Sequence, residues 1–460
     1  MIGKLLGPEL QAYIEGRNFT ALREVLCQFA APDIAEILTD LSASDKALLL
    51  RILPKQLAAD VFEYLSLATQ EELVQALGQE ELIHILNEMA ADDRTALLEE
   101  LPAPVVTRLL KLLAPQERAI AQTLLNYPEN SVGRLMTPDF IAIQEEWTVQ
   151  QVLDHVRQHG QDSETLNVLY IVDDRGRLLD DVRIREFLLR PLTTRVSEFR
   201  DAHFVTLKVT DDKHEVVALF RKYDRTVLPV VDSQGVLVGV VTVDDVLDLA
   251  EREATQDIQR LGGMETLDTP YLQTNLLSMI KKRATWLSVL FLGETLTASA
   301  MGYFEGEIEK AVVLSLFIPL IISSGGNSGS QATSLIIRSL ALGDVKLRDW
   351  WRVFLREMVS GLALGIVLAT VGTVRILLWQ QLGWKDYGVH YGLIMLAVSC
   401  SLIGVVLFGS LVGAMLPFVL RRMGLDPAVS SAPFVATLVD VTGLVIYFSV
   451  AYLFLHGTLL

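Results

Sequence analysis

Ala432-Pro433-Phe434-Val435-Ala436-Thr437-Leu438-Val439-Asp440-Val441-Thr442-Gly443-Leu444-Val445-Ile446-Tyr447 begins a hydrophobic stretch that continues to Leu455. It is long enough to cross a bilayer. One carboxylate, Asp440, lies near its middle. A charged side chain at that depth costs roughly 2.5–3.5 kcal/mol on insertion scales, so it faces a protein interior or a water path. In a helix, Ala436, Thr437, Gly443 and Tyr447 share the face of Asp440. Leu438, Val441, Val445 and Phe448 form the opposite face. The segment reads as a lipid-facing back and a carboxylate-bearing front. The competing reading is a buried Asp paired with an Arg or a backbone group, but no lone Arg or Lys elsewhere stands mid-span as its partner.

Four more apolar segments precede it: Thr285–Phe304, Ala311–Leu335, Val353–Trp379 and Tyr391–Leu420. Each meets the length requirement for a span. Lys281, Lys282 and Arg283 precede the first, and Glu305, Glu307 and Glu309 follow it. Arg338, Lys346, Arg348, Arg352 and Arg356 surround the second connection, and Arg421 and Arg422 follow the fourth span. The positive-inside rule then puts the N-terminus in the cytoplasm, and five spans leave the C-terminus outside. The second span contains Ser323-Ser324-Gly325-Gly326-Asn327-Ser328-Gly329-Ser330-Gln331-Ala332-Thr333-Ser334. Such a run serves either as a close helix-packing seam or as a locally broken helix beside water, and Asn and Gln favour the hydrated path. Glu294 in the first span and Glu357 in the third are further carboxylates in apolar surroundings.

The charge is unevenly placed. Residues 281–460 hold 10 acidic and 13 basic side chains, and residues 1–280 hold 46 and 26, so +3 and −20 make up the net −17. An acidic front is joined to an apolar back, which argues against nucleic acid and suits cations. Two cysteines, Cys27 and Cys400, imply neither a disulfide framework nor a thiolate metal site. Met1 to Phe19 has no apolar signal-peptide core, so the front half is expected in the cytoplasm.

Residues 1–128 read as helices throughout. Amphipathic segments begin at Leu41, Leu67, Met89 and Leu113, spaced by 26, 22 and 24 residues, which suggests a solenoid-like superhelix. Thr69-x-x-Glu72 fits a capping box. Residues 129–252 hold two copies of a strand and helix unit. Ile171-Val172-Asp173 with Gly176 aligns with Val230-Val231-Asp232 and Gly235 at an offset of 59. Both copies, 129–194 and 195–252, resemble CBS domains. The second matches better, through Thr226-Val227-Leu228-Pro229-Val230-Val231-Asp232 and Gly239-Val240-Val241-Thr242-Val243-Asp244-Asp245, whereas Asp180 stands in the first copy where Gly239 stands in the second. In many families such clefts bind adenine nucleotides. Residues 244–282 read as an acidic connecting helix, with Asp244, Asp248 and Glu251 on one face. Like charges at that spacing destabilise a helix, and a divalent cation would relieve them.

One membrane carboxylate among hydroxyls, amides and small residues, without imidazole or thiolate, suits a hard cation. Mg²⁺ gives up its water reluctantly, so a path could hold the hydrated ion with few charges; the same chemistry admits Ca²⁺, Mn²⁺ or protons. No nucleophile–base pair, P-loop or metal–histidine cluster points to an enzyme. Here the residues carry a wider resemblance. The order of segments resembles the MgtE family of magnesium channels. So do Gly325-Gly326-Asn327-x-Gly329-x-Gln331, Asp440-Val441-Thr442-Gly443-Leu444-Val445-Ile446-Tyr447, Leu425-Asp426-Pro427 and Ser131-Val132-Gly133-Arg134-Leu135-Met136.

That resemblance implies a multidomain membrane protein: an all-α helical-repeat N domain, an α/β tandem CBS pair, a connecting plug helix and a five-helix transmembrane domain over 283–460. It implies a homodimeric Mg²⁺ channel in a bacterial inner membrane, in contact with lipid, with Mg²⁺ as both substrate and regulator and with ATP or another adenine nucleotide at the CBS pair. Asp440 is then the pore ligand, and Ala436, Gly443 and Asn327 line the path with Thr437, Ser330, Gln331, Thr333 and Glu305. Cytosolic Mg²⁺ is expected to close the channel by bridging Asp212, Asp224, Asp245, Glu253 and Asp257 with Asp92 and Asp93. Two other readings remain: a secondary transporter of Co²⁺ or Mn²⁺, and a nucleotide sensor whose membrane half is only an anchor.

Overall fold

The computed structural model describes residues 10–458 except 11, 40, 268, 270 and 273. The chain divides into two compact units, Met1–Glu251 and Arg252–Leu460. The first unit begins with α1 (Phe19–Leu26), α2 (Ala31–Thr39), α3 (Ala43–Ile52), α4 (Lys55–Glu63), α5 (Leu67–Ala76), α6 (Gln79–Glu88), α7 (Ala91–Glu100), α8 (Ala103–Leu110) and α9 (Pro115–Leu125). Through α7 each helix packs mainly on the next but one, which builds a solenoid-like stack over a continuous leucine-rich core. The cap of α5 is Ser66, whose hydroxyl accepts from the Thr69 N–H, and not Thr69 itself.

The strand and helix repeat folds as two three-stranded sheets. The first holds β1 (Ala142–Gln144), β2 (Val168–Val172) and β3 (Leu178–Arg183), flanked by α10 (Val149–His159) and α11 (Ile184–Leu188). The second holds β4 (Leu207–Lys208), β5 (Val227–Val231) and β6 (Leu237–Thr242), with α12 (Lys213–Tyr223). In both sheets the first pair is parallel, the second antiparallel, and the ladder bulges at the matching place, Ile171/Val172 and Val230/Val231. The turns are equivalent too: Asp173 and Asp232 accept backbone N–H groups, and Gly176 and Gly235 take φ +75° and +81°. The turns pair through Leu178 N–H to Gly235 O and Leu237 N–H to Gly176 O, both 3.0 Å.

The departure at Asp180 has a structural cause. A Cβ at Gly239 would stand 2.8 Å from both Met136 Sδ and Thr137 O, because the segment entering the first copy pairs with β6 there. In the first copy Asp180 is buried and accepts the N–H groups of Asp201 and Ala202 at 2.8 and 2.9 Å. The Ser131–Met136 motif is a joint. Val132 and Gly133 donate backbone N–H groups to Asp211 O and Val209 O, while Arg134 bonds Tyr127 O, Leu125 O and Glu99.

The acidic connecting helix, α13 (Val243–Leu261), stops at Gly262-Gly263, where Gly263 has φ +71°, and so does not run to residue 282. The second unit continues with α14 (Leu276–Tyr303), α15 (Glu305–Lys310), α16 (Ile318–Ala341), α17 (Trp350–Gln381), α18 (Tyr391–Arg422) and α19 (Ala432–Leu455). Among the described residues four helical segments are long and apolar enough to cross a membrane: 312–341, 347–381, 391–422 and 432–455. The expected first span lies in α14 but is not among the four; Glu294 and several Thr and Ser side chains lower its apolarity.

Candidate ion path and acidic cluster

α16 is helical through its whole glycine and serine run, so the helix is not broken there. Its two faces do different work. Gly325 and Gly329 meet Gly409 and Gly413 of α18 so closely that a Cβ on Gly409 or Gly413 would stand 2.3 or 2.2 Å from the facing carbonyl oxygen. On this seam the Ser328 and Ser410 hydroxyls bond at 2.6 Å, and buried Thr333 donates to Gly413 O at 2.9 Å. The other face carries Ser323, Asn327, Gln331 and Ser334, all exposed. Asn327 donates to Ser323, and Ser330, between the faces, donates to Ala432 O.

Asp440 stands beside this helix, half-buried. A Cβ built on Gly326 would lie 3.5 Å from Ala436 Cβ and 3.8 Å from Asp440 Oδ1. The structure therefore brings together Asp440, Ala436 and Gly326, and Asn327 follows Gly326 with its side chain exposed. It does not bring in Gly443 or Thr333. Gly443 is buried against Val405, and Thr333 is consumed by the seam. Thr437 turns toward α14, where its methyl would meet a Cβ on Gly293 at 2.7 Å. Glu305 is exposed at the start of α15. On the back of α19, Leu438 and Val445 are exposed as expected, but Phe448 is buried and stacked on Phe304 at 4.8 Å.

A second concentration of carboxylates lies within the first unit. Asp92 and Asp93 open α7, Glu63 ends α4, and Asp244, Asp245 and Asp248 open α13. Glu63 accepts the Ala90 N–H at 2.8 Å, and Asp245 accepts the Thr242 hydroxyl at 2.8 Å. Burial, then repulsion from Glu63, Asp245, Glu164 and Asp248, pushes Asp93 up to about 7. Burial raises Glu63 to about 7, against the Ala90 N–H bond, with Asp60 and Glu164 adding repulsion. Burial and then Asp92 raise Asp245 to about 8. Asp92 is held well above the usual carboxylate range by burial and then by Asp93, and Glu164 is raised by burial and then by Asp244. Among the described residues no three His, Cys, Asp or Glu side chains stand in a metal-ligating arrangement.

Of the expected sensor residues, Asp92, Asp93 and Asp245 converge. Asp212 instead caps α12, accepting the His214 N–H, and Asp224 closes the same helix in a left-handed conformation. Glu253 and Asp257 belong to the second unit. There Asp257 is raised by burial and then by Asp426, and Arg260 lowers it. Glu63 and Glu164 escaped the sequence reading because each comes from a separate segment with no motif of its own.

The family profile described as a divalent cation transporter, MgtE, matches residues 318–450. The MgtE intracellular N domain matches 30–130, and CBS domains match 132–190 and 196–252. The magnesium transporter MgtE of Thermus thermophilus is 41% identical over 456 residues, covering 98% of this chain and 99% of that protein. The Bacillus subtilis magnesium transporter MgtE is 27% identical, covering 92% of this chain and 94% of the relative. The crystal structure of the cytosolic domain of the Mg²⁺ channel MgtE in complex with ATP is 38% identical with a TM-score of 0.50, covering 52% of this chain and 98% of that one. With a relative this similar from end to end, the chain belongs to the MgtE family of magnesium transporters.

Proposed function

We infer that this chain carries Mg²⁺ across a bacterial inner membrane and is closed by cytosolic Mg²⁺. The observation that carries this reading is Asp440, halfway along an apolar helix, beside Gly326 and next to the exposed polar face of α16. Polar side chains facing outward from a membrane helix need water or protein, and a second copy across a two-fold axis supplies both. Two copies of Asp440 then flank one hydrated ion. α14 is read as a fifth span, which leaves the N-terminus cytoplasmic and the C-terminus outside. The acidic cluster is the sensor: with Mg²⁺ among Glu63, Asp92, Asp93 and Asp245 the repulsion is relieved, and without it those carboxylates drive their helices apart. The CBS pair takes an adenine nucleotide, since the solved cytosolic relative is a complex with ATP.

The test is Mg²⁺ flux into liposomes holding the wild type or Asp440→Ala, with Mg²⁺ on the cytosolic side stepped upward. Flux that falls as Mg²⁺ rises, and is absent in the variant, supports pore and sensor. Undiminished flux in the variant removes Asp440 from the path.

A further inference from the structure

α14 runs parallel to α19, and three contacts fix their register. Near one end the Trp286 indole donates to the Ser431 hydroxyl at 3.3 Å. In the middle, Gly293 leaves room for the Thr437 methyl. At the other end Phe304 stacks on Phe448. This register sets the Glu294 carboxyl beside that of Asp440. One turn further along α14, the Thr297 hydroxyl is buried with no hydrogen-bond partner.

We propose that Glu294 is a second carboxylate of the ion path, contacting the passing cation together with Asp440, and that the pair sets the preference for divalent over monovalent ions. This rests on the reading of Asp440 as a path residue. The argument is electrostatic. Two ionised carboxylates side by side repel each other, and a cation lying against both relieves that repulsion. A divalent cation neutralises the pair, whereas a monovalent one leaves a net charge. The Thr297 hydroxyl, on the same face of α14, is placed to accept a hydrogen bond from water in the ion's hydration shell.

The experiment uses the full chain in liposomes. Mg²⁺ entry is followed against external Mg²⁺, and Na⁺ entry is followed with Mg²⁺ chelated, for wild type, Glu294→Gln, Glu294→Asp and Asp440→Ala. Glu294→Gln is expected to raise the half-saturating Mg²⁺ concentration roughly tenfold, the scale of one neighbouring charge, and to admit Na⁺. Glu294→Asp, which keeps the charge, returns both toward wild type. If Glu294→Gln matches wild type in both readouts while Asp440→Ala is silent, the proposal falls and the path reading stands. If the Gln and Asp variants lose maximal flux alike with half-saturation unchanged, Glu294 is a packing residue and the proposal falls again. If Asp440→Ala conducts normally, the underlying reading fails first.

Discussion

The guanidinium of Arg260, in the last turn of α13, holds the carboxylate of Asp426, 166 residues further along the chain. The other oxygen of Asp426 caps the turn leading into α19 by accepting the Ala428 N–H at 2.9 Å. The acidic helix is thereby tied to the connection that positions Asp440. The two side chains are 40% and 36% exposed, so the pair contributes at most ~1 kcal/mol. That is about a fivefold change in a two-state ratio. Arg260→Ala is expected to raise residual Mg²⁺ flux at high cytosolic Mg²⁺ by up to about that factor, leaving maximal flux at low Mg²⁺ unchanged. Single-channel open probability in both conditions checks it, and equal residual flux would remove this contact from the gate.

The acidic cluster predicts how stability of the first unit depends on pH. Asp93 and Glu63 reach about 7 and Asp245 about 8, against about 4 in an unfolded chain. Between those values the folded unit holds more protons than the unfolded one, so stability falls as pH rises from about 5 to 8. A cation that replaces those protons restores it. The thermal transition of the first unit, followed in the full chain with Mg²⁺ chelated, is expected to drop between pH 5.5 and pH 8.5. Added Mg²⁺ is expected to raise it more at pH 8.5. Asp93→Asn should raise the transition without Mg²⁺ at pH 8.5 and weaken the Mg²⁺ response. A transition that rises with pH would contradict the crowding of these carboxylates.

How much of this was legible in the sequence depends on the range of the interaction. The duplicated turn of Asp173 and Asp232 was visible because Asp, Gly and a β-branched strand solve a local backbone problem, and the solution repeats at offset 59. Periodicity placed Asp440 on a face with Ala436, but it could not tell which half of that face meets another helix. Gly443, one turn past Asp440, is buried against Val405, and no local pattern distinguishes it from Ala436 one turn before. In the same way the run 323–334 is both seam and polar strip, and composition alone offered these as alternatives. Glu63, Glu164 and the Glu294–Asp440 pair depend on helix register across long chain separations. Such contacts leave a signal only in the fold.

The glycine seam gives a prediction about stability. Helices that approach through small residues gain packing, and a methyl group there pushes them apart. At Gly409 and Gly413 the added Cβ would face backbone carbonyl oxygens, which cannot rotate away. Gly409→Ala or Gly413→Ala should cost ~1–3 kcal/mol and lower the melting temperature in detergent. Gly302→Ala and Gly392→Ala serve as controls, since nothing lies within 4 Å of their added Cβ. Equal melting temperatures across the four variants would mean that α16 and α18 do not meet along this seam.

The exposed polar strip on α16 makes the dimeric path testable without measuring transport. In a closed two-fold assembly, residues near the axis face their own copies. Asn327, Gln331 and Ser334 recur along one helical face and are exposed, although the helix is long and apolar enough to lie in a membrane. With Cys27→Ser and Cys400→Ala removing the native thiols, single cysteines at these three positions should form dimers on mild oxidation in the membrane, at least at the position nearest the axis. A disulfide needs Cα atoms within about 7 Å, so the crosslink reports proximity and not chance collision. Val371→Cys, on an exposed apolar face of α17, should remain monomeric. Added Mg²⁺ should slow crosslinking at the productive position if a hydrated ion occupies the space between the copies. If all three strip positions stay monomeric in protein that still conducts, the path does not run between two copies. The polar face would then line a route within one chain.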